Sequence, residues 1–396
     1  MQKTFLPANI LLPKGDMKKW SVIACDQYTS NKKYWENAKR TAEGAPTALD
    51  LILPEIYLEE NVEQKIADIN KNMEKYLAEG VFCEYKNCYI YLERTLKNGD
   101  VRHGVIGMLD LCDYDYNKGS TALVRATEAT VLERIPPRVK IRKDASLELP
   151  HVMLLSDDRD DSVVNTIKGF KDKLEKIYDF DLMADSGHAT GYLINGEYAN
   201  IVNEAFEKLV EGDSDKLLFA VGDGNHSLAT AKTCYEQNKN DLNRYALVEV
   251  VNINDASLNF EPIYRVLFDV NPKEFIDRFV LDLGGEYHGE DAHSFTCIYG
   301  DTKTEISVKA TSKLAVGTLQ SYLDEFASDI KIDYIHGVDE VESLCKNNNT
   351  LGFVFDSMEK NELFDAVKAD GALPRKTFSM GHADDKRFYI EARKIK

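Results

Sequence analysis

The sequence predicts a mixed α/β protein, α+β in its sheets, built as two domains. Three observations carry this. The chain has 396 residues, more than the roughly 100–200 of one ordinary domain. Apolar runs of strand length alternate with amphipathic helical patterns along most of it. Finally, Lys97-Asn98-Gly99-Asp100 separates two β-rich runs, and Asn-Gly is a hairpin signal that adds antiparallel pairing to the alternation.

Taken in order, WSVIACDQYTS is a short apolar run with a polar end, and SNKKYWENAKR reads as a helix capped by Ser30. A buried stretch and a long amphipathic helix ending at Gly80 follow, then the hairpin NCYIYLERTL and VRHGVIGMLDL. RATEATVLERIPPR is expected to start as a helix and stop at Pro136-Pro137. An apolar strand near His151 to Leu155, a charged surface helix over 160–177, a turn-and-strand stretch and the helix YANIVNEAFEKLVEG come next. LLFAVGDGNHSLATAK is a buried strand that breaks into a polar loop and restarts as a helix at about Asn225. The polar segment QNKNDLNR marks the expected boundary, giving domains 1–245 and 246–396, the second a strand–helix alternation with some antiparallel pairing.

With 67 acidic against 49 basic residues the net charge is −18. Repulsion from phosphate backbones argues against nucleic acid or an anionic membrane as partner, and a small anionic metabolite or nucleotide would need a local cationic patch. No stretch approaches the roughly 18–20 apolar residues of a membrane span, and the N-terminus lacks a signal peptide's apolar core, so a cytoplasmic protein is expected. Seven cysteines without a Cys-x-x-Cys pair suggest reduced thiols and point away from structural zinc. His151, His188, His336 and His382 show no ligand spacing and read as structural or peripheral; no metal ligands are assigned.

The candidate site is the loop Gly222-Asp223-Gly224-Asn225-His226-Ser227. A helix starting there leaves its first N–H groups without intrahelical partners, at the positive end of the macrodipole. Gly222 and Gly224 let an anion approach those groups. Asp223 could bind a metal or act as a base, and His226 could donate to a phosphoryl oxygen or serve as an acid. Asn225 or Ser227 could equally just cap the helix. The loop is no Walker loop, because no Gly-Lys-Ser/Thr follows. Further candidates are Arg125, Glu128, Arg134 and Arg138, which would also suit pairing on a wet helix face, Arg375 and Lys376 in LPRKTFSMG, and Asp26 in CDQYTS as a metal ligand or hydroxyl activator.

The strings ACDQYTS, LILPE, RATEATVLERIPPR, LELPHVMLL, YDFDLM, GDGNHSLATAK, NFEPIYRVLF and LPRKTFSMG, in this order, resemble the bacterial and archaeal family catalogued as domain of unknown function 1015. The resemblance covers almost the whole chain. Many members carry Asp-Gly-His-His-Arg where this sequence has Asp223-Gly224-Asn225-His226-Ser227. That pentad is similar to the Gly-x-His-Arg phosphate-binding signature of the ParB and sulfiredoxin fold, which includes a free-serine kinase. The resemblance therefore implies a ParB/sulfiredoxin-like N-terminal part with phosphate on the helix N-terminus. Ser227 stands where the signature has Arg, so a cation must come from elsewhere, with Arg125, Arg138 or Lys376 as candidates. The family's second Pro-x-His-Arg appears as Pro262-Ile263-Tyr264-Arg265, which loses an imidazole and keeps Arg265. The expectation is a phosphotransferase or phosphatase on a small hydroxylated or phosphorylated metabolite such as serine or phosphoserine, using Mg²⁺ and ATP or ADP. The alternative is a non-catalytic nucleotide or metabolite sensor. Nothing in the sequence sets an oligomeric state.

Overall fold

The computed structural model describes residues 3–28, 31–58, 61–128 and 135–396. The protein is mixed α/β, as the alternation predicts, and the chain divides into two compact units. The larger holds residues 1–126, 130–258 and 382–396; the smaller holds 127–129 and 259–381.

The larger unit is built on one mixed sheet. Its strands run in the order Glu175–Asp181, His188–Ile194, Phe82–Thr95, Val101–Asp110, Tyr245–Asn252, Met153–Ser156, Phe219–Asp223, Val124–Ala126 and Tyr114–Asp115. The hairpin forms as expected: Phe82–Thr95 pairs antiparallel with Val101–Asp110, and Gly99 sits in the turn at φ 93°. Tyr245–Asn252 lies at the centre of this sheet, antiparallel to Val101–Asp110 and parallel to Met153–Ser156. The unit accordingly runs on to Leu258, past the polar segment expected to close the first domain. Asn240 is itself tied into that segment, its side chain accepting from the Asn243 amide at 2.9 Å, as in an ordinary surface turn. The C-terminal residues return to the larger unit, where Phe388–Tyr389 pairs with Val22–Ile23 and Arg393–Lys394 with Leu147–Glu148.

Local rules explain where the elements depart from expectation. The first long helix, Lys32–Ala42, is capped by Asn31, whose side chain accepts from the Tyr34 amide; Ser30 lies outside the described residues. Val124–Ala126 is a strand and not a helix start, because its backbone pairs with Phe219–Val221. Pro136 and Pro137 open the helix Ile135–Arg142 instead of ending one. A proline in the first turn loses nothing, since an N–H there has no intrahelical acceptor. The expected surface helix over 160–177 is shorter, Ser162–Lys168, and the chain then enters the edge strand Glu175–Asp181.

The smaller unit carries an antiparallel sheet ordered Thr302–Lys309, Ala292–Tyr299, Thr350–Val354, Phe260–Phe268 and Ile332–His336, with Phe378–Met380 also pairing to Phe260–Phe268. Phe279, Phe295 and Phe353 pack edge to face within it, a geometry that suits the aromatic quadrupole. Among the described residues no helix is long and apolar enough to cross a membrane.

Candidate functional site

The strand Phe219–Asp223 leads directly into the helix Asn225–Gln237. Gly224 joins them at φ 82°, a left-handed conformation that suits glycine. A Cβ on this residue would stand 3.0 Å from Val152 Cα, so the turn is also packed against the neighbouring strand segment. Helix start and glycine turn thus lie where the sequence places them.

At the head of the helix the Asp223 carboxylate accepts from the Gly224 amide at 2.8 Å and faces Lys386 Nζ at 3.4 Å. The Gly224 amide is therefore taken by the protein's own carboxylate. Lys386 supplies a cation beside the loop, one that sequence reasoning passed over because it lies 163 positions further along, 386 against 223. His226 and Asn225 begin the helix, and Thr230 Oγ1 donates back to the His226 carbonyl at 2.7 Å.

Ser227, in the first helical turn, faces His151: Oγ and Nε2 are 2.9 Å apart. The other ring nitrogen, Nδ1, is 3.1 Å from the Tyr389 hydroxyl, which accepts from the Cys25 amide at 3.1 Å. Burial, reinforced by the Asp26 carboxylate, pushes the Cys25 thiol up to about 12. Burial likewise raises the Tyr389 hydroxyl well above its usual range, so both groups are protonated at neutral pH. His151, which the sequence reading takes as structural or peripheral, is buried and is the direct hydrogen-bond partner of a loop residue. No spacing could have shown this, because His151 and Ser227 lie 76 positions apart and meet where Phe219–Asp223 pairs with Met153–Ser156.

Ser227, His151, Tyr389 and Cys25 line a cavity of about 170 Å³ whose remaining walls are largely apolar, with Leu51, Leu53, Ile141 and Leu247 among them. Two arginines reach this wall and both are paired. Arg138 is bound to Glu55. Arg142 Nη2 lies 2.5 Å from Glu148, which Arg393 also holds at 2.6 Å. Burial alone would raise the Glu148 carboxyl, but Arg393 and Arg142 outweigh it and hold the group below the usual carboxylate range.

The other expected residues have different surroundings. Asp26 accepts from the Gln27 side chain at 3.3 Å. Arg125 is buried, donating to the Ala122 carbonyl at 2.9 Å and pairing with Asp215. Arg134 lies outside the described residues. Glu128, Arg265, Arg375 and Lys376 belong to the smaller unit, where the three cations lie 4.9, 5.3 and 5.0 Å from the Tyr334 ring centre. Arg265 is wholly buried and donates to Gln320 and to the carbonyls of Arg375 and Lys376, while Glu128 accepts from the Lys376 amide at 3.1 Å. In this arrangement Arg265 fixes the Arg375-Lys376 turn, and the ring face attracts the surrounding cations. Among the described residues no three His, Cys, Asp or Glu side chains gather as a metal site would need.

Fold and site together define a mixed α/β protein with its candidate chemistry at the head of one helix. Residues 6–326 match the model of the family described as protein of unknown function, DUF1015, and the chain belongs to that family. No curated protein matches the sequence. Among solved structures, a free serine kinase mutant in complex with ADP is similar at 10% identity and a TM-score of 0.41, over 75% of this chain and 93% of that one. A conserved hypothetical protein from Pyrococcus furiosus gives 12% identity and a TM-score of 0.35, over 70% and 90%. SbnI from Staphylococcus aureus gives 8% and 0.40, over 72% and 85%. Likeness this distant leaves function to be read from the residues of the site.

Proposed function

We propose that the protein moves a phosphoryl group to or from a small hydroxylated metabolite, serine or phosphoserine among them, with the phosphate held at the head of the Asn225–Gln237 helix. The observation that carries this is the turn itself: a left-handed glycine that opens a helix of 13 residues beside the amine of Lys386. Phosphoryl transfer asks chiefly for positioning and charge neutralisation. The positive helix end and Lys386 supply both, Lys386 taking the part that Ser227 cannot. His226 donates to a phosphoryl oxygen. Asp223 and Asp26 are the carboxylates proposed to take a hydroxyl proton or to meet Mg²⁺, which is commonly held by one or two carboxylates together with substrate phosphates. ATP or ADP is the proposed phosphoryl donor, and a ParB/sulfiredoxin-like N-terminal part belongs to the same reading.

The test is purified protein incubated with ATP or ADP and serine, and separately with phosphoserine, followed by phosphorus NMR. Turnover is expected, and D223N should lower it by about 100-fold or more, the usual worth of one positioned acid–base or electrostatic group. Thermal stabilisation by nucleotide without turnover would replace the enzyme by a sensor. Neither turnover nor stabilisation would remove phosphate from the site altogether.

A further inference from the structure

We propose that Ser227 and His151 form a nucleophile–base pair that cleaves carboxylic esters of short apolar acids, with the acyl group lodged in the adjoining cavity. This goes beyond the phosphoryl reading and does not depend on it, since its nucleophile and base are Ser227 and His151 and it uses neither Asp223 nor Lys386.

The hydrogen bonds around His151 fit these roles. The Tyr389 oxygen accepts from the Cys25 amide. In the proposed pair its second lone pair takes Nδ1–H of His151, 3.1 Å away. Nε2 is then the unprotonated nitrogen, 2.9 Å from Ser227 Oγ, within reach of the proton a base must remove. A hydroxyl, a base and a third group orienting that base make an activated nucleophile. Tyr389 is the positioning residue, fully buried and fixed by Cys25.

The cavity selects the substrate. Its cations are already balanced, Arg138 by Glu55 and Arg142 by Glu148, so a neutral, apolar occupant costs least. At about 170 Å³ it resembles an engineered cavity of about 150 Å³ that admits benzene, which suits an acyl chain of about four to six carbons. Ser227 Oγ bonds to the ester carbonyl carbon while Nε2 takes the hydroxyl proton, and the charge developing on the carbonyl oxygen meets the positive end of the helix. The bond from carbon to the alcohol oxygen then breaks, and the Nε2 proton passes to that oxygen. Water attacks the acyl-serine, gives a proton to Nε2 and releases the acid as that proton returns to Oγ.

The experiment uses the full chain. An alkyl fluorophosphonate is expected to leave one mass adduct on the peptide containing Ser227, absent from S227A. H151Q should slow labelling by at least about 100-fold. Hydrolysis of p-nitrophenyl esters should be fastest for butyrate or hexanoate and fall for laurate. Wild-type protein that gains no adduct at Ser227 overturns the proposal, and that measurement needs no variant to fold. So do labelling unaffected by H151Q and a hydrolysis rate indifferent to chain length.

Discussion

One carboxylate, that of Asp255, gathers hydrogen bonds from both His103 and Ser257. Oδ2 faces both the amide and Nδ1 of His103 at 3.1 Å, and Oδ1 accepts from the amide and hydroxyl of Ser257 at 2.9 and 2.6 Å. Burial alone would raise this carboxyl, but the donors of His103 and Ser257 outweigh it and hold it well below its ordinary value. A carboxyl depressed by folding stabilises the native state above its unfolded pKa of about 3.9, and that contribution fades as pH falls toward the folded value. D255N should therefore unfold at lower urea than the wild type at pH 7, with the gap narrowing between pH 4 and 3. A gap that is the same at all three values would show that Asp255 acts by shape alone. At this scale the sequence was informative about chain-local groups and silent about distant ones. Asp223, Gly224 and Ser227 lie in one readable string, whereas Ser227 finds His151 76 positions away. Arg125 carries the same side chain in an ion pair with Asp215 as it would in a phosphate clamp, and only its surroundings tell the two apart.

Among the elements, the strand-to-helix turn at Gly224 bears most directly on the site. Replacing Gly224 by Ala meets two penalties. A left-handed backbone costs an ordinary residue about 1–2 kcal/mol, and the new methyl would lie 3.0 Å from Val152 Cα, where the backbone must give way. Gly119 separates them, because it has φ 79° with nothing within 4 Å of its would-be Cβ. G119A should cost only the backbone share, and G224A measurably more by urea unfolding, together with slowed fluorophosphonate labelling of Ser227. Equal costs for the two would mean that the turn is not braced by its neighbour. The elements best read from the sequence are those with a local cause: the Asn98-Gly99 hairpin, the helix ending near Gly80, and the helix starting at Asn225. Those misread needed a partner to decide them. Val124–Ala126 looks helical by spacing but is captured as a strand by Phe219–Val221, and Pro136-Pro137 is compatible with either end of a helix until the flanking chain is placed.

On the scale of the whole molecule, the larger unit is closed by residues that come last in the sequence. Phe388, Tyr389, Ile390 and Ile395 are each no more than 3% exposed, and burial of such side chains stabilises by about 1.5–3 kcal/mol apiece. Arg387 sits between the buried carboxylates of Glu249 and Glu391, and deleting one partner of a buried pair costs about 3–5 kcal/mol. Trp20 Nε1 also donates to the Ile390 carbonyl at 2.9 Å. The combined loss on removing 382–396 is of order 10 kcal/mol, the size of a whole domain's stability of about 5–15 kcal/mol. A chain ending at Gly381 should therefore lose the larger unit as a folded body, and Ser227 with it, since Tyr389 and the His151 contact go together. Residues 259–381 have their own antiparallel sheet and aromatic core and should resist proteolysis in the truncated chain while residues 1–258 are digested. A truncated protein whose 1–258 region survives protease and still takes the fluorophosphonate at Ser227 would show that the closing segment is an accessory to the larger unit and not part of its core.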